Sequence, residues 1–186
     1  GDYSTIVDNL KGTAFNSPND VIVDSEGAIY FTDPPYGRPK DASDTLGFNG
    51  VYKYHNGKTQ LIDDTLYRPN GLALSPDERT LYVANSGQPK LFMKYTISKS
   101  GKVGKGKVFY NASALTGEGN PDGIKVDPLG NVFATGPGGV LVFSPKGKLL
   151  GTIKFPETPA NLTFGGADNK TLFVTARTGL YSIQIK

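Results

Sequence analysis

The feature that most constrains this chain is a short pattern that recurs four times along it. Each copy begins with a proline and continues with a small residue, a short apolar run, a polar turn and a second apolar run. The copies occupy residues 18–33, 69–85, 121–136 and 159–176, and the fourth is the most divergent. Successive copies begin about 40 to 50 residues apart, the spacing typical of propeller blades. The pattern therefore predicts a repeated β architecture.

Further turn and strand signals complete each repeat. Asn56-Gly57 lies between two β-rich runs, and Asn-Gly is a strong hairpin signal. No stretch shows helical periodicity with caps. The sequence therefore predicts an all-β propeller, in which residues 1–15 are an outer strand plus a linker from a preceding blade. The predicted blades are residues 17–63, 68–111, 120–153 and 158–186.

Composition excludes several classes of function. The net charge is only +3 and the charges are well mixed, so no basic stripe for nucleic acid is expected. The absence of cysteine excludes thiol catalysis and disulfides. No apolar run approaches the roughly 20 residues that a membrane helix needs. The compartment is left open.

The repeat places oxygen-bearing side chains at one equivalent position. Asn19, Asn70 and Asp122 each follow the proline of a copy. In up-and-down blades, the start of every first strand lies on the same face as the loops between the second and third strands. Amide and carboxylate oxygens suit hard divalent cations. The three residues are therefore candidate metal ligands on one face, near the axis. Asp20 is predicted to be structural, either by capping a turn or by hydrogen-bonding the neighbouring blade.

The longest predicted loop lies on the same face as these ligands. It spans Asp33–Asn49 and carries Tyr36 and Arg38, which are candidate substrate contacts. The single histidine, His55, falls in a hairpin on the opposite face, which disfavours serine-type catalysis.

Four segments of the sequence resemble those of a known protein family. They are SPNDVIVDSEGAIYFTDPPYG, RPNGLALSPDERTLYVANSG, NPDGIKVDPLGNVFATG and FGGADNKTLFVTARTGLYSI. Together they are similar to the senescence-marker-protein/gluconolactonase/regucalcin family, over essentially the whole chain. The resemblance implies a six-bladed propeller of which about four blades are present here. It also implies a divalent metal in the central channel, most often Ca²⁺, with Zn²⁺, Mg²⁺ and Mn²⁺ as alternatives.

The resemblance also implies roles for single residues. Asn70 corresponds to a metal ligand, and Asp122 to a metal ligand that is also the proposed catalytic base. Asn19 corresponds to a residue that contacts substrate or metal. The family's remaining ligand is a glutamate that this chain lacks, together with about two N-terminal blades. Those blades, or a second chain, are candidate partners.

The function implied by the resemblance is metal-dependent hydrolysis of a small-molecule lactone, a carboxylic ester bond, as in gluconolactonases. The metal would polarise the lactone carbonyl and activate water, and Asp122 would accept a proton from that water. Two alternatives stay open. One is a non-catalytic propeller that binds a ligand or a protein, and the other is an ester hydrolase of the phosphotriesterase type.

Overall fold

The computed structural model describes residues 1–39 and 45–185. Within those ranges all regular structure is β, with seventeen strands and no helix. The strands form five antiparallel sheets: three of four strands, one of three and one of two. No helix long and apolar enough to cross a membrane occurs in the part of the chain described.

The four larger sheets are simple meanders in which each strand pairs with the next. Sheet 1 contains β3 (Val21–Val23), β4 (Ile29–Asp33), β5 (Gly50–His55) and β6 (Lys58–Asp63). Sheet 2 contains β7 (Pro69–Leu74), β8 (Thr80–Asn85), β9 (Leu91–Thr96) and β10 (Lys107–Asn111). Sheet 3 contains β11 (Ile124–Val126), β12 (Val132–Gly136), β13 (Gly139–Phe143) and β14 (Leu149–Ile153). Sheet 4 contains β15 (Pro159–Gly165), β16 (Thr171–Ala176) and β17 (Gly179–Gln184).

The predicted Asn-Gly hairpin shows how local sequence forms these sheets. Asn56 and Gly57 have φ values of 49° and 74°, and they join β5 to β6 with His55 opposite Lys58. Positive φ at both central residues is what a type I′ turn requires, and this turn matches the twist of its two strands. The residue types at the turn therefore set the register of the outer half of sheet 1.

Apolar side chains pack the large sheets face to face. Tyr30 and Val51 of sheet 1 share a buried cluster with Leu72 and Leu81 of sheet 2. Equivalent clusters join sheet 2 to sheet 3 and sheet 3 to sheet 4. The first strands of successive sheets also contact one another. The sheets therefore follow one another around a common axis, with the first strand of each innermost, which is a propeller-type arrangement.

The N-terminal segment differs from the expected outer strand plus linker. It forms a small hairpin from β1 (Asn9–Leu10) and β2 (Thr13–Ala14). Phe15 follows it and packs against Phe31 and Tyr52, with ring centroids 5.2 and 5.0 Å away. This aromatic cluster covers the face of sheet 1 that points away from sheet 2, and it anchors the hairpin there.

The predicted long loop begins later than expected. Asp33 is the last residue of β4 and is fully buried. Its carboxylate accepts hydrogen bonds from the backbone N–H groups of Asn16 (2.8 Å) and Ser17 (2.6 Å). Asp33 therefore holds the chain just before the first repeat. Residues 40–44 of the predicted loop, and Lys186 of the last predicted blade, lie outside the described residues.

Candidate active site

The starts of the innermost strands surround a cleft of about 710 Å³ near the axis. Asn19, Asn70 and Asp122 all line it, as does Tyr36 from the loop between β4 and β5. The fourth repeat contributes Ala160 at the position equivalent to the three candidate ligands. The structure therefore brings together on one face the side chains that the repeat predicts there.

Hydrogen bonds between neighbouring sheets hold the strand starts in place. The Thr32 hydroxyl donates to the Asn70 carbonyl over 2.8 Å, and the Asp20 carboxylate accepts the Leu72 N–H at 2.9 Å. Thr135 makes the equivalent bond to the Ala160 carbonyl at 3.1 Å. These bonds join sheet 1 to sheet 2 and sheet 3 to sheet 4. The prediction that Asp20 bonds the neighbouring blade is confirmed.

A glycine beside Asn70 lets two backbones approach closely at the cleft wall. A Cβ atom on Gly71 would lie 2.1 Å from the backbone carbonyl oxygen of Asp122. Only glycine fits such an approach without moving the neighbouring strand. Gly71 therefore brings the backbone of sheet 2 against Asp122 of sheet 3.

A chain of polar side chains crosses the cleft floor. The Asn19 Nδ2 donates to Asn70 Oδ1 at 2.7 Å, and Asn70 Nδ2 donates to Ser86 Oγ at 3.0 Å. The Ser86 hydroxyl in turn donates to the backbone carbonyl of Pro121 at 2.5 Å. Asn70 is buried, so this network fixes its amide orientation. The Asn70 amide also lies near enough to the Asp122 carboxylate to favour its charged form.

Asp122 is the side chain in the cleft with the most perturbed acidity. Burial raises the pKa of its carboxyl to about 6, and the negative charge of Asp20 adds to the effect. The nearby Asn70 amide opposes the shift by stabilising the carboxylate. A carboxylate with a pKa close to neutral is well matched to accept and return a proton.

The two candidate substrate contacts lie in different places. Tyr36 reaches into the cleft, where its hydroxyl lies 3.5 Å from Asn70 Nδ2. Burial raises the pKa of the Tyr36 hydroxyl, which keeps it protonated as a donor at neutral pH. Arg38 does not line the cleft, and its Nη1 donates instead to the Thr45 hydroxyl.

Comparison with known proteins agrees with the fold. Residues 1–178 match the family model described as SMP-30/gluconolactonase/LRE-like region. The chain belongs to this family. It is 40% identical over 194 residues to a gluconolactonase of Zymomonas mobilis, covering 98% of this chain and 54% of that protein.

Solved structures of the family show the same fold. A gluconolactonase from Xanthomonas campestris superposes with a TM-score of 0.84 at 36% identity, covering 97% of this chain and 61% of that one. A calcium-binding regucalcin from Agrobacterium tumefaciens gives a TM-score of 0.70 at 23% identity, covering 85% of this chain and 52% of that one. The chain thus spans between half and two thirds of the length of these relatives.

The family likeness raises the question of whether the cleft suits a divalent metal. Asn19, Asn70 and Asp122 offer hard oxygen donors of the kind that Ca²⁺ and Mg²⁺ prefer. Residues 1–39 and 45–185 contain no cluster of three or more His, Cys, Asp or Glu side chains placed as metal ligands. The donors that are present, one carboxylate and two amides, nevertheless suit a hard cation. Water or other groups would have to complete its coordination.

Some cleft residues carry no repeat signal. Ser86 starts the loop after β8, on the predicted face, but the equivalent residue of the first repeat is Pro34. Arg68 precedes its repeat by one residue, and Arg177 lies just past β16. The predicted position of the loops between second and third strands places Arg177 on the cleft face, where the sequence favours a structural role for it. The same signal could have indicated Ser86.

Proposed function

We propose that this chain carries the catalytic site of a gluconolactonase-like enzyme that hydrolyses small cyclic esters. The observation that supports this best is the Asp122 carboxyl, whose pKa is raised to about 6 in a cleft shared with Asn19, Asn70 and Tyr36. Membership of the SMP-30/gluconolactonase/LRE-like family supports the same reaction. So does the likeness to a gluconolactonase of Zymomonas mobilis.

Asp122 acts as the general base in the proposed reaction. Its carboxylate accepts a proton from a water molecule as the water oxygen bonds to the lactone carbonyl carbon. The ring C–O bond then breaks, and the ring oxygen leaves with the proton that Asp122 returns. The products are the carboxyl group and the hydroxyl group of an open-chain hydroxy acid, which loses its carboxyl proton to solvent.

Donors in the cleft stabilise the charge that forms on the carbonyl oxygen. The Tyr36 hydroxyl and the Asn19 amide are the candidate donors, because both lie beside Asn70 on the cleft surface. Fixed donors aimed at a developing oxyanion supply much of the catalysis in acyl transfer. Asn70 acts by holding Asp122 and Asn19 in position.

The same residues would hold a divalent metal. Asn70, Asp122 and Asn19 are the proposed ligands. Because all three donors are oxygens, the proposed ion is a hard cation, with Ca²⁺ first and Mg²⁺ as the alternative. A bound metal supplies Lewis-acid polarisation of the carbonyl. Asn70 Oδ1 accepts one hydrogen bond from Asn19 Nδ2, and its second lone pair would be available to a cation.

Substitution of Asp122 tests the proposal. The Asp122→Asn variant is expected to hydrolyse glucono-1,5-lactone about 10² to 10⁴ times more slowly, the usual contribution of a general base. Proton release in a pH-stat measures the rate, with and without added Ca²⁺. The matched control is Asp168→Asn, at an exposed aspartate in the turn between β15 and β16. Equal rates in the wild type and Asp122→Asn would remove Asp122 from the mechanism.

A further inference from the structure

We propose that Arg68 recognises an anionic group on the substrate, so that the cleft selects lactones with a negatively charged substituent remote from the ring carbonyl. This inference rests on the proposed lactone hydrolysis and names the substrate class within it. Carboxylate, sulfonate and phosphate share the required chemistry, because an arginine binds each through parallel N–H···O bonds.

The two arginines that line the cleft have different electrostatic partners. Arg177 forms an ion pair with Glu118, with Nη2 and Oε2 2.8 Å apart. Among the described residues, no carboxylate lies within ion-pair distance of Arg68. Both arginines line the cleft, but only the positive charge of Arg68 is left for a ligand.

The backbone of Arg68 is held at both of its polar groups. Its N–H donates to Asn85 Oδ1 at 2.9 Å, and its carbonyl accepts the Ser86 N–H at 2.9 Å. Ser86 also belongs to the polar chain on the cleft floor. The position of Arg68 is therefore coupled to the same segment that orients Asn70.

Two aromatic rings hold the guanidinium. The Arg68 Cζ atom lies 5.8 Å from the ring centroid of Tyr36 and 5.5 Å from that of Tyr67. Such cation–π contacts orient a guanidinium while leaving its N–H edge free for hydrogen bonds. A cation held in this way loses less side-chain entropy when it binds an anion.

Tyr67 is itself fixed although its side chain is 60% exposed. Its carbonyl accepts a hydrogen bond from Asn49 Nδ2 at 2.6 Å. A Cβ atom on Gly87 would lie 2.4 Å from Tyr67 Cδ1, so the ring packs directly on the backbone there. The aromatic support of Arg68 is thus part of the folded structure rather than a loose surface contact.

The placement of Tyr36 relates Arg68 to the reacting end of the cleft. The Tyr36 hydroxyl points to Asn70, and its ring faces Arg68. Arg68 therefore lies about the length of one aromatic side chain from the residues proposed to act on the lactone carbonyl. A lactone with its carbonyl at Asp122 can extend an exocyclic group towards Arg68.

A binding experiment that needs no turnover tests the assignment. NMR titrations of the purified protein with glucose 6-phosphate and with glucose, both with EDTA present, compare a charged and a neutral sugar without metal. The wild type is expected to bind the phosphorylated sugar at least about tenfold more tightly, as one charge-assisted interaction allows. This preference is expected to disappear in Arg68→Gln and to survive in part in Arg68→Lys.

A control variant separates local recognition from a general charge effect. Arg79 is an exposed arginine on the turn between β7 and β8, beside Asp77 on the opposite face. Arg79→Gln removes the same charge and is expected to keep the full preference for glucose 6-phosphate. No preference in the wild type, or an unchanged preference in Arg68→Gln, would overturn the inference.

Kinetics distinguish this inference from the proposed function. Arg68→Gln is expected to lower kcat/KM for 6-phosphogluconolactone relative to gluconolactone by about ten- to a hundredfold. An equal loss for both lactones would mean that Arg68 acts only by supporting Tyr36, and would contradict anion recognition. A wild type that hydrolyses neither lactone but prefers glucose 6-phosphate would refute the proposed function and retain the anion site.

Discussion

Two aspartates at opposite ends of one innermost strand have contrasting environments. Asp127 follows β11 and accepts three hydrogen bonds, from the Leu129 N–H (2.9 Å), the Asn131 N–H (2.7 Å) and the Asn131 side chain (2.8 Å). Asp122 precedes β11 and faces the cleft, where the Asn70 amide favours its carboxylate and the negative charge of Asp20 disfavours it. The two residues are of the same type and only five positions apart.

The two aspartates differ in the hydrogen-bond donors that surround the carboxylate. On the turn face, backbone N–H groups donate hydrogen bonds to the carboxylate and stabilise its charged form. Asp24 is a second example, because it accepts the N–H groups of Glu26 and Ala28. A carboxylate that is partly buried with few donors is held in a less favourable charged state, so it can exchange protons near neutral pH. The contrast gives the turn-face aspartate a stabilising role and supports the proposed catalytic role of Asp122 on the cleft face.

Removal of the turn carboxylate should give the largest effect. Asp127→Ala is expected to destabilise the protein by about 2–4 kcal/mol, because three hydrogen bonds are lost and two of them are partly buried. Urea unfolding followed by circular dichroism measures the change. Asp168→Ala is the matched control, since Asp168 is exposed and accepts one turn N–H, from Lys170 at 3.0 Å. Equal losses in the two variants would contradict the role of donor number.

The pH dependence of hydrolysis should report on Asp122. A base with a pKa of about 6 is active as the carboxylate, so kcat/KM should be constant above pH 7 and should fall about tenfold per pH unit well below 6. Added Ca²⁺ should move the inflection to lower pH, because a bound cation favours the carboxylate. A profile without this inflection in the metal-free protein would separate Asp122 from the rate.

The smallest expected effect is on stability at the cleft end. The folded-state pKa of Asp122 lies above its ordinary value of 3.8, so the folded protein binds its proton more tightly than the unfolded chain does. Stability from this group is therefore greatest below about pH 3.8 and declines as pH rises to about 6.

Asp122→Asn removes the charged form that is disfavoured at neutral pH. We expect this variant to be more stable than the wild type at pH 8, by about 1–2 kcal/mol after allowance for partial exposure to solvent. The advantage should disappear at pH 4. Thermal unfolding of both proteins at the two pH values measures it, and a variant less stable than wild type at pH 8 would show that the Asn70 amide outweighs desolvation.

The repeat predicted much of the fold and part of the site. It located the strand pairs, the Asn56-Gly57 hairpin and the face shared by Asn19, Asn70 and Asp122, because these depend on local patterns and on strand direction. It did not indicate the hairpin at β1 and β2 or the buried state of Asp33, since both depend on contacts with distant strands. The roles of Asn19, Asn70 and Asp122 stay predictions, as does a substrate contact by Arg38, which lies away from the cleft.

The sequence by itself determined which segments form the innermost strands, because proline, turn residues and alternating apolar runs act over a few positions. Only the tertiary structure decided the state of their charges. Arg177 meets Glu118 across 59 positions of the chain, whereas Arg68 lies between aromatic rings without an acidic partner among the described residues. Burial and partner charge act through space, so the acidity of Asp122 and the available charge of Arg68 arise only when the sheets pack around the axis.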